Sequence, residues 1–276
     1  MPSQIERLLI LAKTYPSPSA KYSETSCVAA ISEAGEMRRL FPVPFRLLQD
    51  EVRFRKWQWI DVRLEKAIRD HRPESHSIYV DTLICHDVIS TVGGWDQRNQ
   101  WLQKIPHCLS PEDLHSQMEL RGISLAMLKP ISIDRLIIEK ARNVDWTEEE
   151  KEKLLQGQMQ GNLFAEEQAR HDLQTLRKIP FDFYYEYICD TSAGRCLFKH
   201  KIVDWEAGAL YWNCKKRYGA EWESKFRAKL EGELPARDLM FLVGNQHRFQ
   251  DQWLIISLIY PPRPPLPVLL PQGSLF

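Results

Sequence analysis

The sequence predicts an α+β protein in which a β-rich N-terminal module, of the size of a small barrel, precedes a mixed α/β C-terminal module. Short apolar runs separated by turn residues fill the first third of the chain, and amphipathic helical patterns flanked by apolar runs follow later. We expect a β-rich module at 1–95, a mixed helical and strand connector with a polar linker at 96–179, an α+β module at 180–260 and a proline-rich tail at 261–276.

The N-terminal module is expected to consist of consecutive strands. Its apolar runs, each of strand length, are RLLILAKTYP, SCVAAI, MRRLFPVPF and WQWIDVRLEK. The SEAGE stretch between the second and third runs places Gly35 between acidic residues, which is typical of a hairpin tip. Consecutive short strands of this kind are typical of a small barrel.

The connector begins with a change to helical patterning at Trp95. In SPEDLHSQMELRG, Ser110 is a good N-cap, Pro111 suits the first helical position and Gly122 is a stop signal. The strand-like run SLAMLKPISIDRLIIEKA is broken by Pro130. A charged and polar stretch then continues to Arg170, and we predict it to be the linker.

The C-terminal module combines both kinds of element. FDFYYEYICD, LMFLVG and WLIISLIYP have the composition of strands, whereas WEAGALYWNCKKRYG and EWESKFRAKLEGEL have helical periodicity. Strands that flank two helices predict a layered α+β arrangement. After Tyr260, closely spaced prolines end regular structure and favour an extended polyproline segment.

Composition limits the function classes. The chain has 37 basic and 37 acidic residues, so its net charge of zero excludes attraction of the whole surface to nucleic acid and leaves only a local patch. The first residues do not have the pattern of a signal peptide, and no apolar run reaches the length of about 18 residues that spans a membrane. The six cysteines are scattered, which favours reduced thiols. We therefore expect a cytoplasmic protein without a membrane partner.

A candidate nucleic-acid surface lies at 38–72, where ten Lys or Arg residues and five Asp or Glu residues leave a local excess of positive charge. Cations neutralise phosphates and aromatic rings stack on bases, so the mixture indicates binding of DNA or RNA. The candidate residues are Arg38, Arg39, Arg46, Arg53, Arg55, Lys56, Trp57 and Trp59. Lys13, Tyr15, Lys21 and Tyr22 would extend this surface. The alternative is that the aromatic residues form the core of the module and the arginines its solvated face.

Zinc is one candidate cofactor. Cys189, Cys196 and His200 follow the spacing C-x6-C-x3-H in a predicted loop, and Cys214 lies on the next helical stretch. Two thiolates and an imidazole are ligands that Zn²⁺ prefers. The spacing is looser than in common zinc fingers, and the alternative is that these cysteines are buried small apolar residues.

A metal-dependent nuclease is the catalytic candidate. If KHKIVDWE is a strand, alternation places His200, Asp204 and Glu206 on one face, where they would hold Mg²⁺ or Mn²⁺ for phosphodiester hydrolysis. His247, in a polar loop between two apolar strands, is a further candidate catalytic residue. The alternative is that Asp204 caps the helix that begins at Trp205.

The chain ends in PPRPPLPVLLPQGSLF, and QGSLF (272–276) resembles the peptide by which bacterial replication and repair factors dock on the sliding clamp. That resemblance implies that Leu275 and Phe276 fill an apolar pocket and that the Gln272 amide fixes the register by hydrogen bonds. Gly273 departs from the leucine common at that position. A second copy, QGNLF, occupies 160–164. The alternative is that both Leu-Phe pairs pack on the body of the protein.

These features together predict a DNA-associated bacterial protein that is recruited to the sliding clamp and acts in replication, repair or defence against foreign DNA. A metal-dependent nuclease using Zn or Mg is one alternative. A non-catalytic protein-interaction module, whose PPRPPLP segment is bound by an aromatic groove, is another. The signatures of common nucleotide-binding, zinc-protease and α/β-hydrolase sites do not occur.

Overall fold

A computed structural model describes residues 3–16, 25–142, 147–149 and 178–263. The N-terminal module is a closed barrel with the strand order β1-β2-β3-β5-β4. Its strands are β1 (Gln4–Lys13), β2 (Ser26–Ser32), β3 (Met37–Val43), β4 (Gln58–Lys66) and β5 (Ser75–Val88). β3 and β5 pair in parallel and β4 closes on β1 in antiparallel fashion, which confirms the expected β-rich module and its barrel form.

The connections within the barrel follow the local sequence. Gly35 has φ +88° at the β2–β3 hairpin, a conformation that favours glycine, as the acidic turn predicted. The β3–β4 connection carries two short 3₁₀ turns, Phe45–Leu47 and Asp50–Val52. These turns bring Phe54 into the barrel core, where its side chain is fully buried.

The C-terminal module contains a seven-stranded sheet of order β6-β7-β11-β12-β10-β9-β8. Its strands are β6 (His107–Cys108), β7 (Leu125–Leu128), β8 (Ser132–Lys140), β9 (Phe181–Thr191), β10 (Gly194–Ile202), β11 (Met240–Asn245) and β12 (Trp253–Ile259). The helices are α1 (Asp96–Leu102), α2 (Pro111–Arg121), α3 (Trp205–Tyr218) and α4 (Trp222–Arg227), and α4 continues into a π-helical segment, Ala228–Glu233. The fold is therefore the predicted α+β combination.

The structure corrects the predicted connector at 96–179. β7 and β8 are strands of the same sheet as β9 to β12, and β7 pairs with β11 along its whole length. All four residues of β7 are buried, because the apolar run LAML is covered on both faces of the sheet. The predicted polar linker lies almost wholly outside the described residues.

The barrel packs on one face of the sheet, while α3 and α4 cover the other. In β1, Leu8 and Ile10 point into the barrel, while Leu9 and Leu11 point outward to the sheet. β2 alternates in the same way, so both of its faces are buried. The layer between barrel and sheet also contains Leu125, Met127, Met240, Leu242 and Ile256.

A buried polar bridge fixes the barrel on the sheet. The Arg39 guanidinium donates to the Ser124 carbonyl at 2.6 Å, and Glu74 accepts from the Ser124 N–H and hydroxyl at 2.8 Å each. Arg72 donates to the backbone and side-chain oxygens of Asn245 at 2.6 and 3.0 Å. Because buried polar groups are costly unless paired, this bridge selects one orientation of the two modules.

Candidate functional site

Most of the predicted nucleic-acid surface is used in packing. Arg38 is paired with Glu6 at 2.9 Å and with Glu36 at 2.5 Å. Arg39 is buried in the bridge to Ser124. Both residues lie on β3, and the second sheet covers part of the outer surface of the barrel. Arg38 and Arg39 therefore use their charge in contacts within the protein, and the solvated arginine face of the alternative interpretation is not observed at these two positions.

The tryptophans and the cations next to them are also used in packing. Trp57 is buried with φ +66° and lies under the Arg98 guanidinium, and Trp59 packs edge-to-face against Trp101. Lys56 donates to the Leu258 carbonyl at 2.7 Å, so it joins the barrel to β12. Arg53 donates to carbonyls of its own loop, at Leu48 and Arg46. Of the predicted set, Arg53 and Arg55 are exposed and Arg46 is half-buried at the surface.

The predicted zinc loop is instead the β9–β10 hairpin. Cys189 and Cys196 are direct cross-strand partners, and Cys189 and Cys214 are buried in the core between the sheet and its helices. The His200 Nδ1 lies 2.8 Å from the Tyr187 hydroxyl, and burial lowers the pKa of His200 to about 4. Among the residues that the structure describes, no group of three His, Cys, Asp or Glu side chains is placed to hold a metal ion.

The predicted catalytic face of His200, Asp204 and Glu206 is corrected as well. β10 ends at Ile202, and Asp204 is the N-cap of α3. One carboxylate oxygen of Asp204 accepts from the Glu206 N–H at 2.8 Å and the other from the Leu258 N–H at 2.7 Å. Burial raises the pKa of Asp204 to about 6. These oxygens therefore have structural partners, and the capping alternative is the one observed.

His247 makes its contacts away from that face. It lies on the exposed β11–β12 loop, and its Nε2 is 3.0 Å from the Arg69 carbonyl and 4.0 Å from the Asp70 carboxylate. The structure thus links His247 to the β4–β5 loop of the barrel.

A different group of side chains meets where the end of β1, the first 3₁₀ turn and α3 come together. We call it the cation–aromatic corner. It consists of Lys13, Tyr15, Phe45, Arg46, Trp205 and Trp212. Its three central rings form a continuous row: the Tyr15 and Trp205 centroids are 5.6 Å apart, and the Phe45 and Trp205 centroids are 5.0 Å apart. Phe45 is buried, whereas Tyr15 and Trp205 are partly exposed and can stack on planar groups.

Cations lie at both ends of this row. The Arg46 guanidinium is 5.4 Å from the Tyr15 ring centroid. The Lys13 ammonium is 3.7 Å from the Phe45 centroid and 5.2 Å from that of Trp205, and it donates to the Phe54 carbonyl at 3.0 Å. Burial lowers the pKa of Lys13 to about 8. Attraction to the ring faces partly offsets the cost of burying this charge.

Close contact between the barrel and α3 builds the corner. The Tyr15 N–H donates to the Val203 carbonyl at 2.7 Å, and the Trp212 indole N–H donates to the Tyr15 hydroxyl at 2.8 Å. Gly208 makes this approach possible, because a Cβ at that position would lie 2.2 Å from the Tyr15 ring. The small residue in α3 therefore serves to seat Tyr15.

Only part of this site is predicted by the sequence. Lys13, Tyr15 and Arg46 are among the predicted candidates, and Phe45 is one of the aromatic residues within the predicted stretch at 38–72. Trp205 and Trp212 are not among them. The aromatic spacing of α3 is the available signal: positions 205 and 212 are seven residues apart and thus share a helix face. Lys21 and Tyr22, the other predicted candidates of this part of the sequence, lie outside the described residues.

The topology defines the class of the protein. A five-stranded Greek-key barrel is the architecture of the oligonucleotide- and oligosaccharide-binding fold, in which the β1–β2 loop contributes to the ligand site. In this chain that loop begins after Lys13, and Tyr15 lies at its start. None of the helices formed by the described residues has the length and apolar character needed to cross a membrane.

Comparison with known proteins assigns the family. Residues 93–276 match the model of a domain of unknown function (DUF8757), and residues 4–104 match that of a second domain of unknown function (DUF8758). Because the first match covers more than half of the chain, the protein belongs to the DUF8757 family. No curated protein matches the chain.

Among solved structures, a chain described as part of a replication protein A heterotrimer bound to single-stranded DNA aligns with 94% of this chain and 65% of its own length. The two are 8% identical with a TM-score of 0.26. A likeness this weak carries no argument about fold or function.

Proposed function

We propose that the protein binds single-stranded nucleic acid at the cation–aromatic corner. The observation that carries the proposal is the row of rings, partly exposed at Tyr15 and Trp205, with a cation at each end, at the beginning of the β1–β2 loop. Proteins that bind single strands combine a positive groove for the backbone with aromatic rings on which bases stack. The barrel architecture supports the proposal by analogy of fold alone.

The corner fits a single strand better than a duplex. Its rings lie in a niche between the barrel and α3, and they stack only on bases that are not paired. Arg46, at the edge of the niche, is placed to neutralise a phosphate while Tyr15 receives a base. Lys13 is deeper, since it donates to a backbone carbonyl as well as facing Phe45.

Binding of a labelled oligothymidylate of about 16 nucleotides, the upper end of the site size of one such barrel, tests the proposal by fluorescence anisotropy. The full-length chain is compared with Tyr15→Leu/Arg46→Gln. Loss of one stacked base costs about 1–3 kcal/mol, so we expect the affinity to fall by about tenfold to hundredfold.

The matched control is Arg7→Gln. Arg7 is a barrel cation on the same strand as Lys13, about 20 Å away at the rise of a β-strand, and it is paired with Asp61 at 2.8 Å. The control is expected to bind like the wild type. Equal affinity of the corner variant, with an unchanged circular dichroism spectrum, would contradict the proposal.

A second proposal concerns recruitment. We propose that residues 272–276 dock on the bacterial sliding clamp, which would place the nucleic-acid site at replicating or repaired DNA. The resemblance of QGSLF to clamp-binding peptides, its position after a proline-rich segment and the second copy at 160–164 support this proposal. Both peptides lie outside the described residues.

The test is binding of the full-length chain to purified sliding clamp. A variant truncated after Pro271 is expected to lose a micromolar interaction, and a second variant has Gln160, Leu163 and Phe164 changed to Ala. Binding that survives both changes would show that neither peptide docks on the clamp. Binding lost only in the second variant would show that the docking segment is 160–164 and not 272–276.

A further inference from the structure

The last turn of α3 carries a basic cluster that the corner does not include. Lys215, Lys216 and Arg217 are all exposed. Within the described part of the chain, none of the three forms a salt bridge with an acidic side chain. The neighbouring helical segment differs, because Arg227 and Lys229 are each paired with a glutamate four residues away in sequence. The cluster therefore keeps its positive charge toward solvent.

The helix dipole accounts for only part of this charge. The C-terminus of a helix carries about half a negative charge, which one cation offsets. Three cations in one turn exceed it, and Lys225 on α4 adds a fourth near Tyr218, at 5.6 Å from that ring. The C-terminal end of α3 therefore has a locally positive surface, which attracts anions.

Helical periodicity places this cluster in line with the corner. Trp205, Trp212 and Lys216 are separated by seven and four residues, so their side chains lie along one face of α3. Trp205 and Trp212 both contact Tyr15. Lys216 lies about 16 Å beyond Trp205 along the helix axis at 1.5 Å per residue. Rings and then cations thus follow one another along this face.

We propose that a single strand bound at the corner continues along this face of α3 and that Lys215 and Lys216 bind its phosphates. The inference rests on the proposed function and extends the site from one niche to a track. At about 3.4 Å per stacked nucleotide, the distance of about 16 Å from Trp205 to Lys216 corresponds to about five nucleotides. The occupant is a phosphodiester backbone, because the cluster offers positive charge and Trp212 a ring for a base.

The experiment measures the affinity of the full-length chain for oligothymidylates of increasing length at several salt concentrations. The test variant is Lys215→Gln/Lys216→Gln. The control, Arg121→Gln/Lys140→Gln, removes two exposed cations from α2 and β8. All four positions are at the surface, so the fold of each variant is expected to persist, and thermal unfolding checks this.

We expect the affinity of the wild type and of the control to keep rising with oligonucleotide length beyond the length at which the affinity of the test variant levels off. For long oligonucleotides, the slope of log affinity against log salt is expected to be less steep by about 1.4 in the test variant, at about 0.7 for each phosphate that the two lysines no longer neutralise.

The outcomes separate this inference from the proposed function. If Tyr15→Leu/Arg46→Gln weakens binding but the test variant keeps the length dependence and salt slope of the wild type, the corner binds a strand and the track is overturned. If the wild type binds no oligonucleotide of any length, the proposed function is overturned and the track with it.

Discussion

Gly208→Ala probes the contact on which the corner depends. Gly208 lies inside α3, where replacement of glycine by alanine ordinarily stabilises a helix by about 1 kcal/mol. Here the new Cβ would lie 2.2 and 2.8 Å from two carbons of the Tyr15 ring and 3.0 Å from the end of the Ile179 side chain. Ile179 can rotate away, but the Tyr15 ring must move by more than about 1 Å to reach ordinary van der Waals separation.

The cost follows from the interactions that this movement breaks. Overpacking costs about 1–3 kcal/mol. Displacing Tyr15 also removes the hydrogen bond from Trp212 and the ring contact with Trp205, at about 1 kcal/mol each. After the helical gain is subtracted, we expect Gly208→Ala to lower the free energy of unfolding by about 2–4 kcal/mol.

Urea unfolding followed by tryptophan fluorescence and circular dichroism measures this change. In a Tyr15→Ala background the clash is absent, so Gly208→Ala should there stabilise the protein by up to about 1 kcal/mol. Gly232→Ala is the matched control, because a Cβ at Gly232 meets nothing within 4 Å. A Gly208→Ala variant at least as stable as the wild type would refute the placement of Tyr15 on α3.

Three further changes test the interface, the buried charge and a helix cap. Glu74→Ala should lower the free energy of unfolding by about 3 kcal/mol, because it leaves the buried Arg39 network without its carboxylate. The control Glu33→Ala, at an exposed turn, should change the free energy of unfolding by less than about 0.5 kcal/mol. Equal effects of the two changes in urea unfolding would contradict this prediction. Since the pKa of Lys13 falls from 10.5 to about 8 on folding, the native state binds fewer protons than the unfolded state in that window. The free energy of unfolding should therefore rise between pH 8 and 10.5 by up to about 3 kcal/mol. This rise should be absent in a Lys13→Met variant. The same rise in that variant would show that another group causes it. Ser110→Ala should cost about 1 kcal/mol in thermal unfolding, and no loss would mean that the cap contributes nothing.

Local sequence signals set the elements and their ends. Ser110 caps α2 by accepting from the Asp113 N–H, and Gly122 ends that helix with φ +68°, both as predicted. Pro130 lies between β7 and β8, where the strand-like run was expected to break. These signals act through hydrogen bonds and backbone angles within a few residues, and so they can be read without the fold.

The sequence predicts only part of the candidate site, because local patterns do not report contacts between distant segments. Lys13 and Tyr15 stand at the end of a predicted strand next to a polar loop, and their charge and rings marked them. Trp205 and Trp212 looked like ordinary members of an amphipathic helix. Their role depends on a contact with Tyr15 across about two-thirds of the chain, and no local pattern reports a contact of that separation.

The amino-acid sequence alone predicts the class of the fold, the succession of strands and helices, and the excess of positive charge at 38–72. Which face of the barrel is covered becomes apparent only in the three-dimensional structure. The continuous apolar run of β2 indicates a strand buried on both faces, yet it cannot identify the second sheet as the cover. The sheet that covers the barrel uses Arg39 and Trp57 for packing and leaves the corner beside α3 accessible. Side-chain alternation along a strand fixes which residues share a face. The partner of each face depends on packing between segments that are distant in the sequence.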